Sequence, residues 1–303
     1  MGKSTDFKGI LAFVQKFPTE RVCVKQFRAW RWENGVYCPH CLHKKVYVYA
    51  DAKRYKCQAC MKQFTDTVGT VLENTKLPIR KWMFAIYIAS VSKKGVSSAH
   101  LSRSIGVTQK TAWFMLQRIR EMLKDKSGEI MDGVIEVDET VVGGKSKNKH
   151  SAKRDGMKSK TYVFGMLQRG GRIRTMKVKD RSANTLKPII YENIESQSII
   201  MSDEWLSYRG LNLVYDHQCI DHSAYQYGNG KTYTNSLEGA WSHFKRSIIG
   251  VYHHVSKKHM DMYCSEFDFR YNTRNYSDAE RFYLAMGMVE GRLKYKDLIG
   301  RSG

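Results

Sequence analysis

What is missing narrows the field first. No stretch of the 303 residues approaches the roughly 18 uninterrupted apolar residues of a membrane span, and the apolar run at 82–91 stops well short. Residues 1–7 lack the charged-then-apolar order of an export signal. There is no internal repeat and no low-complexity tract. Acidic residues are scarce: 29 Asp and Glu face 51 Lys and Arg, a net charge of +22 spread along the chain. That excess suits a polyanionic partner, double-stranded DNA before an acidic membrane surface. The seven cysteines are odd in number and four of them fall in two close pairs, which excludes a disulfide framework and fits a reducing compartment. Cys23, Cys219 and Cys264 stand alone and read as small buried hydrophobes.

The two pairs are the strongest local signal. Cys38 and Cys41 bracket Pro39 and His40, Cys57 and Cys60 bracket Gln58 and Ala59, and 15 residues lie between the pairs. That is room for a strand pair folding back to set four thiolates around one structural zinc, about 2.3 Å from each sulfur. A redox dithiol needs only one such pair, and four thiolates leave no ligand position for His40 or His43. The chain then divides into N-terminal helices at 1–33, a zinc ribbon at 34–66, a helix-turn-helix at 78–126, a catalytic domain at 131–290 and a solvated tail at 291–303. In the third segment Ser97 or Ser98 caps a short helix, Gly106 makes the turn and Thr108 caps a longer helix. Ala99, Leu101, Ile105 and Val107 supply its core. Gln109, Lys110 and Thr111 then lie on the first turn of the second helix, where side chains reach base edges.

From residue 133 the apolar period changes from helical to alternating. Strands are expected at 134–142, 161–168 and 173–178, a helix at 182–194, strands at 198–201 and 213–220, and a helix at 235–248. The order is that of an α/β, ribonuclease H-like fold. Between the first two strands Lys145, Lys147 and Lys149 crowd a loop, as contacts for phosphate.

Cutting and joining phosphodiesters takes two divalent ions about 4 Å apart, held by convergent carboxylates. Asp138 is one candidate ligand. Alternation puts it on one strand face with Glu136 and Thr140, and puts Glu139 on the other; Glu136 and Glu139 can equally be satisfied surface acids. Asp203 ends the short apolar strand that starts at Ser198, with Glu204 the weaker rival. On the helix at 235–248, Leu237, Trp241, Phe244 and Ile248 form an apolar face, leaving Glu238, Ser242 and Lys245 aligned beside it. Glu238 would be the third ligand, with Lys245 as a phosphate contact and Asn235 as an alternative contributor.

The cysteine pairs, the helix-turn-helix, the segment 135–144, Asp203 with Tyr208, the segment 234–246 and the segment 250–256 together resemble transposases of insertion-sequence family 1595, relatives of Merlin elements. The resemblance spans about residues 10–290. It implies a ribonuclease H-like domain with a DDE triad and a following lysine, on Asp138, Asp203, Glu238 and Lys245. It further implies two Mg²⁺ or Mn²⁺ ions, binding of terminal inverted repeats and of target DNA, end cleavage by water and strand transfer by the freed 3′-hydroxyls. Handling two DNA ends implies a homodimer or a higher synaptic complex, working in the cytoplasm at the nucleoid of a bacterial host. Arg246, Arg270 and Arg274 are further expected phosphate contacts. A DNA-binding regulator built on the first two modules, or a nuclease that cuts without joining, are the competing readings.

Overall fold

The computed structural model describes residues 6–51, 53–143, 160–203, 206–220 and 235–300. They form a mixed α/β protein of two compact units, residues 1–123 with 275–303, and residues 124–274. Among the described residues no helix is long and apolar enough to cross a membrane.

The first unit opens with α1 (Gly9–Lys16) and α2 (Glu20–Arg31), the second capped by the Thr19 side chain accepting from the Val22 N–H. A small antiparallel sheet follows, β1 (Val46–Val48), β2 (Arg54–Cys57) and β3 (Gln63–Thr65), paired in that order. One buried carboxylate ties this sheet to α2. Asp66 accepts from Arg28 Nε at 3.0 Å and Nη2 at 2.7 Å, from Trp32 Nε1 at 2.8 Å and from the Tyr55 hydroxyl at 2.9 Å.

Next come α3 (Ile79–Val91), α4 (Ser98–Ile105) and α5 (Gln109–Met122). Ser97 caps α4 and Thr108 caps α5, each oxygen accepting the backbone N–H three residues on. Gly106 closes α4 at φ +62°, the left-handed region that glycine enters without a Cβ clash. Leu101 and Ile105 are buried as expected, but Ala99 is exposed. Val96, just before the cap, takes the inward position instead.

The end of the chain returns to this unit. Ser277 and Glu280 close a capping box on α9 (Asp278–Gly287), which packs against α3. Phe7, Phe13, Tyr87 and Phe282 meet there, with Phe13 stacked on Tyr87 at 4.3 Å between ring centroids. The stretch expected to be a solvated tail forms α10 (Tyr295–Ile299). Leu293 and Leu298 are buried, and Tyr295 meets Phe114 edge-on at 5.3 Å. Two apolar side chains in reach of a core outweigh the local polarity of that stretch.

The second unit is built on a five-stranded sheet in the order β6-β5-β4-β7-β8. Its strands are β4 (Val134–Val142), β5 (Thr161–Gln168), β6 (Ile173–Val178), β7 (Ile199–Asp203) and β8 (Asp216–Ile220). β4, β5 and β6 are antiparallel neighbours, whereas β4, β7 and β8 run parallel. One face carries α6 (Ala183–Asn193), whose Leu186 and Ile190 pack with Ile135, Val137, Phe164 and Ile200. The other carries α7 (Asn235–Ser247) and α8 (Met260–Asn272), which bury Leu237, Trp241, Phe244, Met260 and Phe267 against Val163, Leu167 and Ile173. Each such side chain removed from water contributes about 1.5–3 kcal/mol. β8 starts later than the alternation at 213–220 suggests. Gly210 turns at φ +88°, residues Leu211–Leu213 form a 3-10 turn, and Leu213 is exposed.

Candidate active site and metal centre

The parallel pairing of β4 with β7 sets the site. Its register aligns Glu136 with Met201, and two residues further along both strands stand Asp138 and Asp203. Side chains at the same level of adjacent strands share a face, here the one covered by α7. On that helix the apolar residues face the sheet and Glu238, Ser242 and Lys245 are exposed, as the spacing predicts. The three acids therefore come from the middle of β4, the end of β7 and the first turn of α7.

Asp138 is partly buried and held at both oxygens. Oδ1 accepts the Glu139 N–H at 2.7 Å and Oδ2 accepts the Trp241 indole N–H at 2.9 Å. Burial, and then the neighbouring charges of Asp203 and Glu238, push its pKa up to about 6 against these two donors. On the opposite face burial pushes Glu139 up to about 7, with Asp138 and Asp203 adding to the shift. Glu139 and the buried Tyr208 hydroxyl interact with each other, and the phenol holds the Glu139 pKa down against its burial. Carboxylates crowded enough for Asp203 and Glu238 to raise the pKa of Asp138 fit a divalent cation, a hard ion that takes oxygen ligands. Asp138, Asp203 and Glu238 would hold it.

Glu136, for which the sequence left a surface role open, is fully buried. One oxygen accepts Arg169 Nε at 2.9 Å, and the other accepts the Leu237 backbone N–H at 2.9 Å. It is thus a strut that fixes where α7 begins and pairs with the half-buried guanidinium of Arg169. A charge at the first turn of a helix meets N–H groups with no partner inside that helix. The pattern of alternation could not reveal this, because the partners lie 33 and 101 residues away.

The expected phosphate contacts separate. Lys245 and Arg246 are exposed on α7, with Arg246 Nε donating to Ser242 O at 3.2 Å. Arg274 is exposed and donates to the carbonyls of Tyr271 and Gly171. Arg270 is a correction: α8 turns it inward, where it is buried and ion-paired with Glu266 one helical turn away. Its charge is spent inside the fold. Lys145, Lys147, Lys149 and Glu204 lie outside the described residues.

In the first unit the sulfurs of Cys38, Cys41, Cys57 and Cys60 lie within 4.8 Å of one another. Cys38 and Cys60 are 3.6 Å apart, and Cys41 and Cys57 3.5 Å. Tetrahedral thiolates about 2.3 Å from a zinc ion would stand at nearly that separation. Of the lone cysteines, Cys23 and Cys264 are buried as expected, but Cys219 is exposed on the edge strand β8. On α5, Gln109 and Lys110 are exposed and Thr111 is half-buried, its hydroxyl 2.9 Å from that of Thr108. Gln109 donates to Ser98 at 3.3 Å, and Lys110 lies over the Tyr295 ring.

Residues 18–63 match the transposase zinc-ribbon domain and residues 130–272 match the ISXO2-like transposase domain. The chain is 26% identical over 276 residues to an uncharacterized protein in transposable element ISH50 of Halobacterium salinarum, a match covering 85% of this chain and 92% of that one. It is 29% identical over 123 residues to an uncharacterized transposase-like protein of Haemophilus influenzae, covering 40% of this chain and 97% of that protein. No solved structure gives a significant match. The zinc-ribbon match and the four clustered sulfurs support one structural zinc. With that ribbon ahead of an ISXO2-like domain that spans the sheet and its carboxylates, the chain belongs to the insertion-sequence 1595 family of transposases.

Proposed function

We propose that this transposase is a DDE-type enzyme on a ribonuclease H-like scaffold, which binds the terminal inverted repeats of its element, cleaves their ends and joins them to target DNA. The observation that supports the reading is that Asp203 at the end of β7 and Glu238 on α7 lie near enough to Asp138 of β4 for their charges to raise its pKa. The strand order, with two parallel strands beside an antiparallel trio, supports the scaffold. When bound, two Mg²⁺ or Mn²⁺ ions supply an activated water or 3′-hydroxyl and stabilise the leaving oxygen. The three carboxylates bind and orient. Lys245, on the same stripe of α7 as Glu238, sits where it would meet a phosphate of the bound strand.

Recognition belongs to the first unit. The α4–α5 pair has the caps and the tight turn of a helix-turn-helix, and the exposed Gln109 and Lys110 at the start of α5 would enter the major groove. Two ends must be joined to one target, so the working form is a dimer or larger synaptic complex. The test is a labelled duplex carrying the element's own terminal repeat, incubated with zinc-loaded protein and either Mg²⁺ or EDTA. Metal-dependent nicks at the end, followed by joined products, are expected. Binding without nicks would make the protein a regulator, and nicks without joining would make it a nuclease.

A further inference from the structure

The hydrogen bond from Trp241 to Asp138 crosses between α7 and β4, and it exists because of a cleared seat. Asp138 pairs across the sheet with Gly165 of β5. A Cβ built at Gly165 would stand 2.5 Å and 2.6 Å from ring atoms Cζ2 and Cη2 of Trp241, closer than real Cβ atoms come. The indole therefore lies directly on bare strand backbone, 4% exposed, with its N–H aimed at Oδ2 at 2.9 Å. An apolar face needs only a ring there. A buried N–H needs an acceptor as well, and the acceptor is the carboxylate assigned to metal binding.

We infer that Trp241 is a positioning residue, whose indole N–H fixes the rotation of the Asp138 carboxylate toward Asp203 and Glu238, and that Gly165 is the seat which lets the indole reach it. This rests on the reading of Asp138 as a metal ligand. The helix cannot slide to spoil the bond, because Glu136 holds the Leu237 N–H one turn earlier. Groups that orient a ligand from behind are worth about 10–100-fold in metal affinity or activity.

The test is Mn²⁺ binding to the full, zinc-loaded chain without DNA, read from the paramagnetic resonance of free Mn²⁺. Trp241→Phe keeps a ring in the seat and removes only the donor. It should unfold at nearly the wild-type temperature yet bind Mn²⁺ about 10–100-fold more weakly, and require correspondingly more metal for cleavage with an unchanged KM for DNA. Gly165→Ala should produce the same loss by displacing the ring. Wild-type Mn²⁺ affinity in Trp241→Phe would overturn the inference. Asp138→Ala separates the two levels: wild-type Mn²⁺ binding in that variant removes the metal reading itself, whereas loss there with none in Trp241→Phe removes only the positioning role. Should Trp241→Phe fail to fold, the ¹⁵N–¹H indole signal of Trp241 in the otherwise intact chain decides. It should move on Asp138→Asn, and a signal that stays in place overturns the inference.

Discussion

Asp66 and Asp268 show how much single carboxylates decide. Asp66 satisfies three side-chain donors at once, from Arg28, Trp32 and Tyr55. Asp66→Ala strands them in a nearly dry site, at a cost of about 3 kcal/mol. Chemical denaturation of the zinc-loaded protein should show that loss, and a change under about 0.5 kcal/mol would mean that water replaces the carboxylate. Asp268 on α8 accepts the Thr175 N–H at 2.8 Å and the Thr175 hydroxyl at 2.7 Å. The residue keeps part of its surface, but its carboxyl end is enclosed, and enclosure raises its pKa to about 8. The folded value exceeds the unfolded one near 3.9, so its contribution is complete below about pH 4 and is lost as pH rises toward 8. Asp268→Asn mimics the protonated acid. Its melting temperature should come close to the wild type's below about pH 4 and exceed it by several degrees at pH 8.5; parallel curves across that range would contradict this. Asp138, Asp203 and Glu238 stand out in the sequence as candidates because strand alternation and helix spacing single them out. The burial of Glu136 and the indole bond to Asp138 could not, since both depend on a helix 101 residues and more along the chain.

Among the elements, the ribbon and the α4–α5 pair were legible for different reasons. Two Cys-x-x-Cys pairs are a chemical pattern, and zinc supplies much of the folding energy of such a module. Purified protein should hold about one equivalent of zinc. Cys38→Ser or Cys57→Ser should lose it and unfold the ribbon while the β4–β8 sheet keeps its cooperative transition; loss of both together would show that the modules are energetically one. The caps of α4 and α5 are also local signals. Thr108→Ala removes an acceptor at the start of α5 and should cost about 1 kcal/mol. Replacing Gln109 and Lys110 by alanine leaves the fold alone and should lower the ratio of terminal-repeat to random-DNA affinity at fixed salt. An unchanged ratio would move base recognition elsewhere. α8 and α10 were not legible. The outward residues of α8 are mixed with a buried Glu266–Arg270 pair, which hides the helical period. α10 is five residues long, with Leu298 buried and Tyr295 meeting Phe114 far back in the chain.

At the scale of the whole molecule, the chain spends its charge and its acids in different ways. On the proposed reading, a net charge of +22 would give affinity for any duplex, and such affinity should fall steeply with salt as counterions are released. The proposed chemistry would need the few acids that survive in that basic background, Asp138, Asp203 and Glu238 on β4, β7 and α7. Binding and catalysis should therefore come apart on mutation. The most direct test is a side-by-side assay of wild type, Asp138→Ala, Asp203→Ala and Glu238→Ala on the labelled terminal-repeat duplex with Mg²⁺, scoring bound, nicked and joined DNA. All three variants should bind within about threefold of wild type and yield neither nicked nor joined product, because ligands of one metal site act as a unit. Wild-type joining by Asp138→Ala or Asp203→Ala would contradict the proposed active site.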